Sequence, residues 1–380
     1  MTARLLSEHS VTSLDVVHHA DALAWLRGAP SNWLNCVVTS PPYFQQRDYG
    51  VEGQIGLEDT PERYVERLVT VFRELRRVLR PDGVAWLNLG DSFLPGKQLA
   101  GIPWRVALAL QSDGWILRSD CIWHKPNPMP SSVTDRPTSA HEYLFLLARS
   151  ERYFYDADAI AEPSIYAGKA VSLGEKSLSR GQATGAGVRA SGNATAASVT
   201  VTPTRNKRSV WTVATEQTPF AHFATFPQAL IEPMVLAGCP AQVCAACGAP
   251  YERVVEREPA DMTARYLRGE PVRHGHAGAS QSGASNVGAY SGQRRTLGFA
   301  PTCSCAAGTR PGIVYDPFMG SGTTGLVAQR LGRHYIGTDI NREYVELARR
   351  RVQYRGDDRR MMQEQDAGVE QMALFEHTAA

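Results

Sequence analysis

No stretch of the 380-residue chain is apolar over the length needed to cross a bilayer. Residues 1–17 lack the apolar centre of a signal peptide, so a cytoplasmic protein with no membrane partner is expected. An even cysteine set is also missing. Seven cysteines, unevenly clustered, argue against a disulfide framework and for a reducing compartment. Net charge is scarce: 40 Lys and Arg stand against 38 Asp and Glu, so binding to an anionic polymer has to come from local basic patches. No lysine follows the glycines of residues 316–325, which excludes a phosphate-gripping P-loop there. What remains is a globular composition, sufficient for one large α/β domain or two smaller ones.

Strand and helix signals alternate. Leu14–Val17 reads as a strand, and Ala20-Asp21-Ala22-Leu23 opens a helix that ends near Gly28. Cys36–Thr39 reads as a buried strand. Thr60 is a good N-cap before Pro61, and Tyr64, Leu68, Val71, Leu75 and Val78 form a helical stripe that Pro81-Asp82-Gly83 ends. A strand over Val84–Leu89, a helix over Ile102–Leu110 and strands over Trp115–Trp123 and Tyr143–Ala148 follow. Apolar periodicity returns over 211–237, and Ile313–Tyr315 and His334–Gly337 read as strands around a further helix. The alternation predicts a mainly parallel sheet with helices on both faces.

Residues 164–208 turn to Gly, Ala, Ser and Thr. They carry Lys169, Lys176, Arg180, Arg189, Arg205, Lys207 and Arg208 against Glu175 alone. Such a segment is either a solvated linker or chain that orders on a phosphate backbone. Cys244-x-x-Cys247-Gly248 and Cys303-x-Cys305 form two close pairs, which suits a structural four-thiolate zinc site of knuckle type. Buried free thiols are the alternative, because the C-x-C pair is tighter than usual; Cys239 is a substitute ligand. Cys36 and Cys121 read as core residues.

Two motifs carry chemistry. Ser40-Pro41-Pro42-Tyr43 follows the buried strand; its prolines stiffen the backbone, leaving a hydroxyl, an unshared Pro41 carbonyl and a flat ring. That cup suits a planar ring bearing an amine, although four such residues also make an ordinary turn. Asp316-Pro317-Phe318-Met319-Gly320-Ser321-Gly322-Thr323-Thr324-Gly325 leads from a strand into a helix, and Asp339 ends the next strand. Strand, glycine-rich loop, helix, strand and acid in this order fit a nucleotide-binding unit with Asp339 on ribose hydroxyls.

Together the motifs resemble the β class of permuted DNA amino-methyltransferases, in which the catalytic turn precedes the cofactor loop. Ser40–Tyr43 is similar to the catalytic motif, Asp316–Thr324 to the S-adenosylmethionine loop, and Asp339-Ile340-Asn341 to the ribose-binding strand end. Ala20–Leu23 resembles the element that places Asp21 near the cofactor's adenine amine. Trp123–Asn127 and Asp135–Glu142 resemble the middle motifs, and Phe223–Pro227 the motif beside the methionine end. The resemblance covers roughly 14–160 and 209–355. It implies a Rossmann-like methyltransferase fold with a zinc-ribbon-like insertion, divided as follows: 1–163 the catalytic half, 164–208 a candidate DNA-recognition insert, 209–238 a return to the core, 239–307 the insertion, 308–355 the cofactor half and 356–380 a tail.

The resemblance also implies a mechanism. Ser40 and the Pro41 carbonyl accept hydrogen bonds from the exocyclic amine, and Tyr43 stacks on a base flipped out of double-stranded DNA. Pro41, Pro42 and Tyr43 complete the catalytic set; the cofactor is held by Asp21, Asp316, Pro317, Phe318, Gly320, Gly322, Thr323, Thr324 and Asp339. Ser at the head of the motif points to cytosine N4 ahead of adenine N6. A companion restriction endonuclease is a candidate partner. Lys125, Arg136 and His222 receive no role. Rival readings are a nicotinamide-dependent oxidoreductase, which leaves Ser40–Tyr43 unexplained, and a non-catalytic zinc-ribbon DNA-binding protein, which needs no cofactor loop.

Overall fold

The computed structural model describes residues 10–165, 170–173, 197–200, 203–216, 225–257, 294–358 and 360–361. One compact unit takes in residues 1–159, 208–251 and 301–380. Its sheet has eight strands: β1 (Val16–His19), β2 (Leu34–Thr39), β3 (Leu79–Leu89), β4 (Ile116–His124), β5 (His141–Ala148), β6 (Val210–Thr212), β7 (Ile313–Asp316) and β8 (His334–Asp339). Their spatial order is β1-β8-β7-β2-β3-β5-β4-β6. Every neighbouring pair is parallel except the two made by β5, which runs against β3 and β4. The mainly parallel sheet expected from the alternating pattern is present.

Side chains alternate across the sheet and divide the core in two. Val37, Ala85, Leu87, Phe145 and Tyr315 pack under α1 (Ala22–Gly28), α2 (Pro61–Val78) and α3 (Ile102–Ser112). Cys36, Val38, Val84, Trp86 and Val314 face the opposite layer, covered by α4 (Gln228–Gly238), α5 (Thr323–Arg330) and α6 (Arg342–Gln353). The α2 stripe is buried throughout, and Thr60 Oγ1 accepts from the Arg63 N–H at 3.3 Å as an N-cap does.

Two local expectations change. The first strand runs Val16–His19, two residues later than predicted, because Asp15 holds φ at 58° and pairing begins only at Val16 opposite Ile336. Pro81-Asp82-Gly83 does not end α2. That helix stops at Val78 and β3 starts at once. Leu34 pairs with Leu79 but Cys36 with Val84, so the three residues fall in a bulge of β3 that relieves proline of its ladder bond.

A second unit takes in residues 160–207 and 252–300. Within it Glu162–Pro163 pairs with Thr204–Arg205, and Ala170–Leu173 with Ala197–Thr200, both antiparallel. Arg205 and Lys207 lie 3.5 and 3.9 Å from Glu162. Lys169, Lys176, Arg180 and Arg189 lie outside the described residues, as do His222, Phe223 and Ala224. No helix among the described residues is long and apolar enough to cross a membrane.

Candidate active site and a four-thiol cluster

Parallel strands β1, β8, β7 and β2 are neighbours and end at one edge of the sheet, where open α/β folds take their ligands. Asp21 follows β1, Asp339 closes β8, Asp316 closes β7 and Ser40 follows β2. The residues predicted for catalysis and cofactor therefore converge on one edge although they are spread over more than 300 positions of sequence.

The loop after β7 is held by its own side chains. Asp316 is 1% exposed; its Oδ1 accepts from Thr39 Oγ1 at 2.7 Å and the Phe318 N–H at 3.0 Å, and its Oδ2 from Thr324 Oγ1 at 2.6 Å. Pro317 is buried and its carbonyl accepts from Thr338 Oγ1 at 2.9 Å, while Phe318 is half-buried. Gly322, with φ of 85°, caps α5; a Cβ there would lie 2.9 Å from Ala348, so the turn and the close helix contact both require glycine. Thr323 and Thr324 are buried in the first turn of α5.

Asp339 faces the loop differently. Its Oδ2 accepts from the Gly320 N–H at 2.8 Å and its Oδ1 from the Asn341 N–H at 2.9 Å, which leaves carboxylate lone pairs for a ligand's hydroxyls. Burial pushes both acids up, Asp316 to about 6 and Asp339 to about 6, with the hydrogen bonds opposing it in part. Asp21 is half-buried and caps α1, accepting from the Ala24 N–H at 2.8 Å.

The catalytic turn is equally tied down. Tyr64 Oη donates to the Pro42 carbonyl at 2.8 Å, and among the described residues no group donates to the Pro41 carbonyl. The half-buried Tyr43 ring lies against Gly90, where a Cβ would come within 2.6 Å of it. Ser40 Oγ donates to Tyr43 Oη at 3.3 Å, and Tyr43 Oη donates to Glu142 Oε2 at 2.6 Å. Asn88 Nδ2 lies 2.7 Å from Tyr43 Oη, 2.8 Å from Glu142 Oε2 and 3.3 Å from Ser40 Oγ. Lys125 Nζ pairs with Glu142 Oε1 and lies 4.3 Å over the Trp123 ring. Burial and the Glu142 carboxylate push the Tyr43 hydroxyl well above its ordinary value.

Sequence reasoning assigned no role to Asn88, Glu142 or Lys125. One signal was present: asparagine in an otherwise apolar strand run, just before Gly90, marks a buried polar group at the ligand edge of the sheet. Arg136 stays outside this network, its guanidinium 4.1 Å over the Phe93 ring.

The two cysteine pairs do meet. One sulfur from each of Cys244, Cys247, Cys303 and Cys305 lies within 4.8 Å of the others. Val243–Cys244 pairs antiparallel with Thr309–Arg310, and Gly248 turns the chain after Cys247 at φ of 73°. Arg80 Nη1 donates to the Cys247 carbonyl at 2.5 Å. Asn35, buried in β2, donates to the Gly248 carbonyl at 3.3 Å and accepts from the Ile313 N–H at 3.0 Å. The substitute ligand does not take part: Cys239 is buried outside the cluster, and burial pushes its thiol to about 12. Cys36 and Cys121 are buried, as core residues are.

An open α/β sheet with an acid-bound glycine loop and a proline-stiffened turn at neighbouring strand ends has the form of a nucleotide-binding enzyme site. Comparison with known proteins makes the class specific. A family profile described as DNA methylase, of the N6 and N4 amino-methylating group, matches residues 34–242 and 306–350. Type II methyltransferase M.Cfr9I of Citrobacter freundii is 35% identical over 367 residues, covering 89% of this chain and 87% of its own. Type II methyltransferase M.SmaI of Serratia marcescens is 34% identical over 361 residues, with 87% and 88% covered. The solved PvuII DNA methyltransferase (cytosine-N4-specific) shares the fold, with a TM-score of 0.52 at 16% identity over 91% of this chain and 89% of that one. The chain belongs to the N6/N4 DNA methylase family and is a type II DNA methyltransferase by that membership.

Proposed function

We propose that the protein moves a methyl group from S-adenosylmethionine to the exocyclic amine of a base flipped out of double-stranded DNA, cytosine N4 in preference to adenine N6. The observation that carries this reading is the shared strand edge, on which Thr39 and Asp316 join the catalytic turn to the cofactor loop. Asp339 accepts the ribose hydroxyls, Gly320 and Gly322 allow the backbone to approach the cofactor, and Phe318 flanks its adenine. Asp21, which follows β1 and caps α1, serves the adenine amine. Asp316, already held by three donors within the protein, shapes the loop more than it touches the ligand.

On the substrate side three acceptors are available: Ser40 Oγ and the carbonyl of the adjoining Pro41, and Asn88 Oδ1, which is buried and without a partner among the described residues. Buried acceptors of this kind suit the N–H donors of an amino group. Tyr43, anchored through its hydroxyl, offers its ring for stacking. The neutral Ser40 supports cytosine, since serine heads this motif mostly in cytosine-N4 enzymes. Nothing in the scheme calls for a cysteine nucleophile, and Cys36 near the turn is buried in the core.

The four-thiol cluster reads as a structural Zn²⁺ site, four thiolates leaving no open position for catalysis. A companion restriction endonuclease fits the type II membership. Nucleoside mass spectrometry of DNA from cells expressing the protein tests the central reading: N4-methylcytosine is expected, N6-methyladenine alone would overturn the base assignment, and unmodified DNA would overturn the function.

A further inference from the structure

The methyltransfer reading leaves one chemical step without an agent. The amine lone pair forms the new N–C bond while the S–C bond breaks and sulfur keeps that pair, so sulfonium becomes thioether and the nitrogen becomes cationic. A neutral product requires the nitrogen to lose a proton. The hydroxyls at the catalytic turn point one way: Ser40 Oγ donates to Tyr43 Oη at 3.3 Å, and Tyr43 Oη to Glu142 Oε2 at 2.6 Å. With its own proton aimed at Tyr43, Ser40 keeps lone pairs for the amine N–H.

We propose, resting on that reading, that Ser40, Tyr43 and Glu142 form the exit path for this proton, with Glu142 as its terminal acceptor. The amine proton passes to Ser40 Oγ as the Ser40 proton passes to Tyr43 Oη and the Tyr43 proton to Glu142 Oε2. The product leaves neutral and Glu142 ends protonated, so charge and atoms balance. The 2.6 Å bond is of charge-assisted length, and the longer 3.3 Å step is of the kind that tightens when substrate binds. Asn88 holds the three oxygens together from β3. Lys125 pairs with the other Glu142 oxygen and so holds the carboxylate in place; the two side chains are only 19% and 14% exposed. Glu142 is thus a positioning residue, acting on the substrate only through Tyr43 and Ser40.

The test is single-turnover methyl transfer to DNA by the full chain, with S-adenosylmethionine affinity measured alongside as a check that each variant folds. Glu142→Gln is expected to keep cofactor and DNA affinity and to slow transfer on the order of 10²-fold, the lower range for a positioned proton acceptor. Glu142→Ala is expected to be equally slow and to recover with added acetate or formate, more with the more basic carboxylate. A merely structural Glu142 gives no such dependence, and its absence overturns the proposal, as does a Glu142→Gln rate within about twofold of wild type. Failure of the wild-type protein to methylate DNA at all sinks the underlying reading instead, and so separates the two.

Discussion

The Thr39 hydroxyl donates to the Asp316 carboxylate at 2.7 Å, across 277 residues of sequence. Thr39 is the last residue of β2 and Asp316 the last of β7, so this bond ties the strand that leads into the Ser40–Tyr43 turn, proposed to hold the base, to the strand that leads into the glycine loop proposed to hold the cofactor. In-line transfer depends on the relative position of amine and sulfonium, and misplacement by about 1 Å can cost on the order of 10²-fold in rate.

Thr39→Val keeps the shape of the side chain but leaves a buried carboxylate short of a donor. A stability loss of about 1–3 kcal/mol is expected, with weaker cofactor binding. Thermal melting with calorimetric titration of S-adenosylmethionine checks both; an unchanged melting temperature would show the bond to be dispensable.

Asp339→Ala removes the acceptor expected to hold the ribose. Loss of a charge-assisted hydrogen bond is worth about 1.5–3 kcal/mol, or about 10–150-fold in Kd. Calorimetry that finds the affinity unaltered removes Asp339 from the cofactor site.

Asp316 and Asp339 give folding stability and cofactor binding opposite expected pH trends. Burial pushes each carboxyl up to about 6, from about 3.9 in a free aspartate, so between about 4 and 6 the native state holds protons that the unfolded chain does not. These groups therefore stabilise the cofactor-free protein as pH falls from about 6 to about 4, by up to about 3 kcal/mol each. If the ionised Asp339 carboxylate holds the ribose, as proposed, cofactor binding is expected to weaken over the same window, about tenfold per pH unit. Titrations at pH 7.5, 6 and 5 should show this slope in the wild type and a flat, weak response in Asp339→Asn. Equal slopes in the two proteins would contradict it.

Tyr43→Ala is expected to spare cofactor affinity and to lower turnover, because the ring serves the base. Gly90→Ala should act likewise, since its Cβ would sit 2.6 Å from the Tyr43 ring and displace it. If either variant methylates DNA at the wild-type rate, the stacking role is wrong.

Replacing Cys244 and Cys247 with Ser should remove bound zinc and destabilise the segment around the cluster, leaving cofactor affinity intact. Elemental analysis decides: about one zinc per wild-type chain is expected, and a content near zero refutes the site.

The motifs were legible where backbone chemistry forces residue choice. Prolines stiffen the Ser40–Tyr43 turn, and Gly322 is required by its positive φ and by Ala348. The cysteine pairs announced themselves by spacing. Asn88 did not, and Glu142 stood out only as the end of the Asp135–Glu142 motif with no role attached, because an asparagine in one strand and an acid near the start of another become partners only through antiparallel register, in which Asn88 pairs with Leu144, two residues beyond Glu142. Lys125 acquires meaning only from Glu142. Pro81-Asp82-Gly83 misled for a related reason: the same residues that end a helix can also bulge out of a strand, and only the partner strand decides.

The strand order has a bearing on how the chain reaches this state. β1 is an edge strand whose sheet neighbour is β8, with Val16 opposite Ile336, and β2 meets β7 only after more than 270 intervening residues. A ribosome therefore releases β1 and the open edge of β2 long before their partners exist. Until then the nascent chain carries unpaired, largely apolar strands, the form most prone to adhere to other chains. Pairings of this sequence separation make for slow folding, and they tie completion of the strand edge that carries Asp316 and Asp339 to the last sheet strand to emerge.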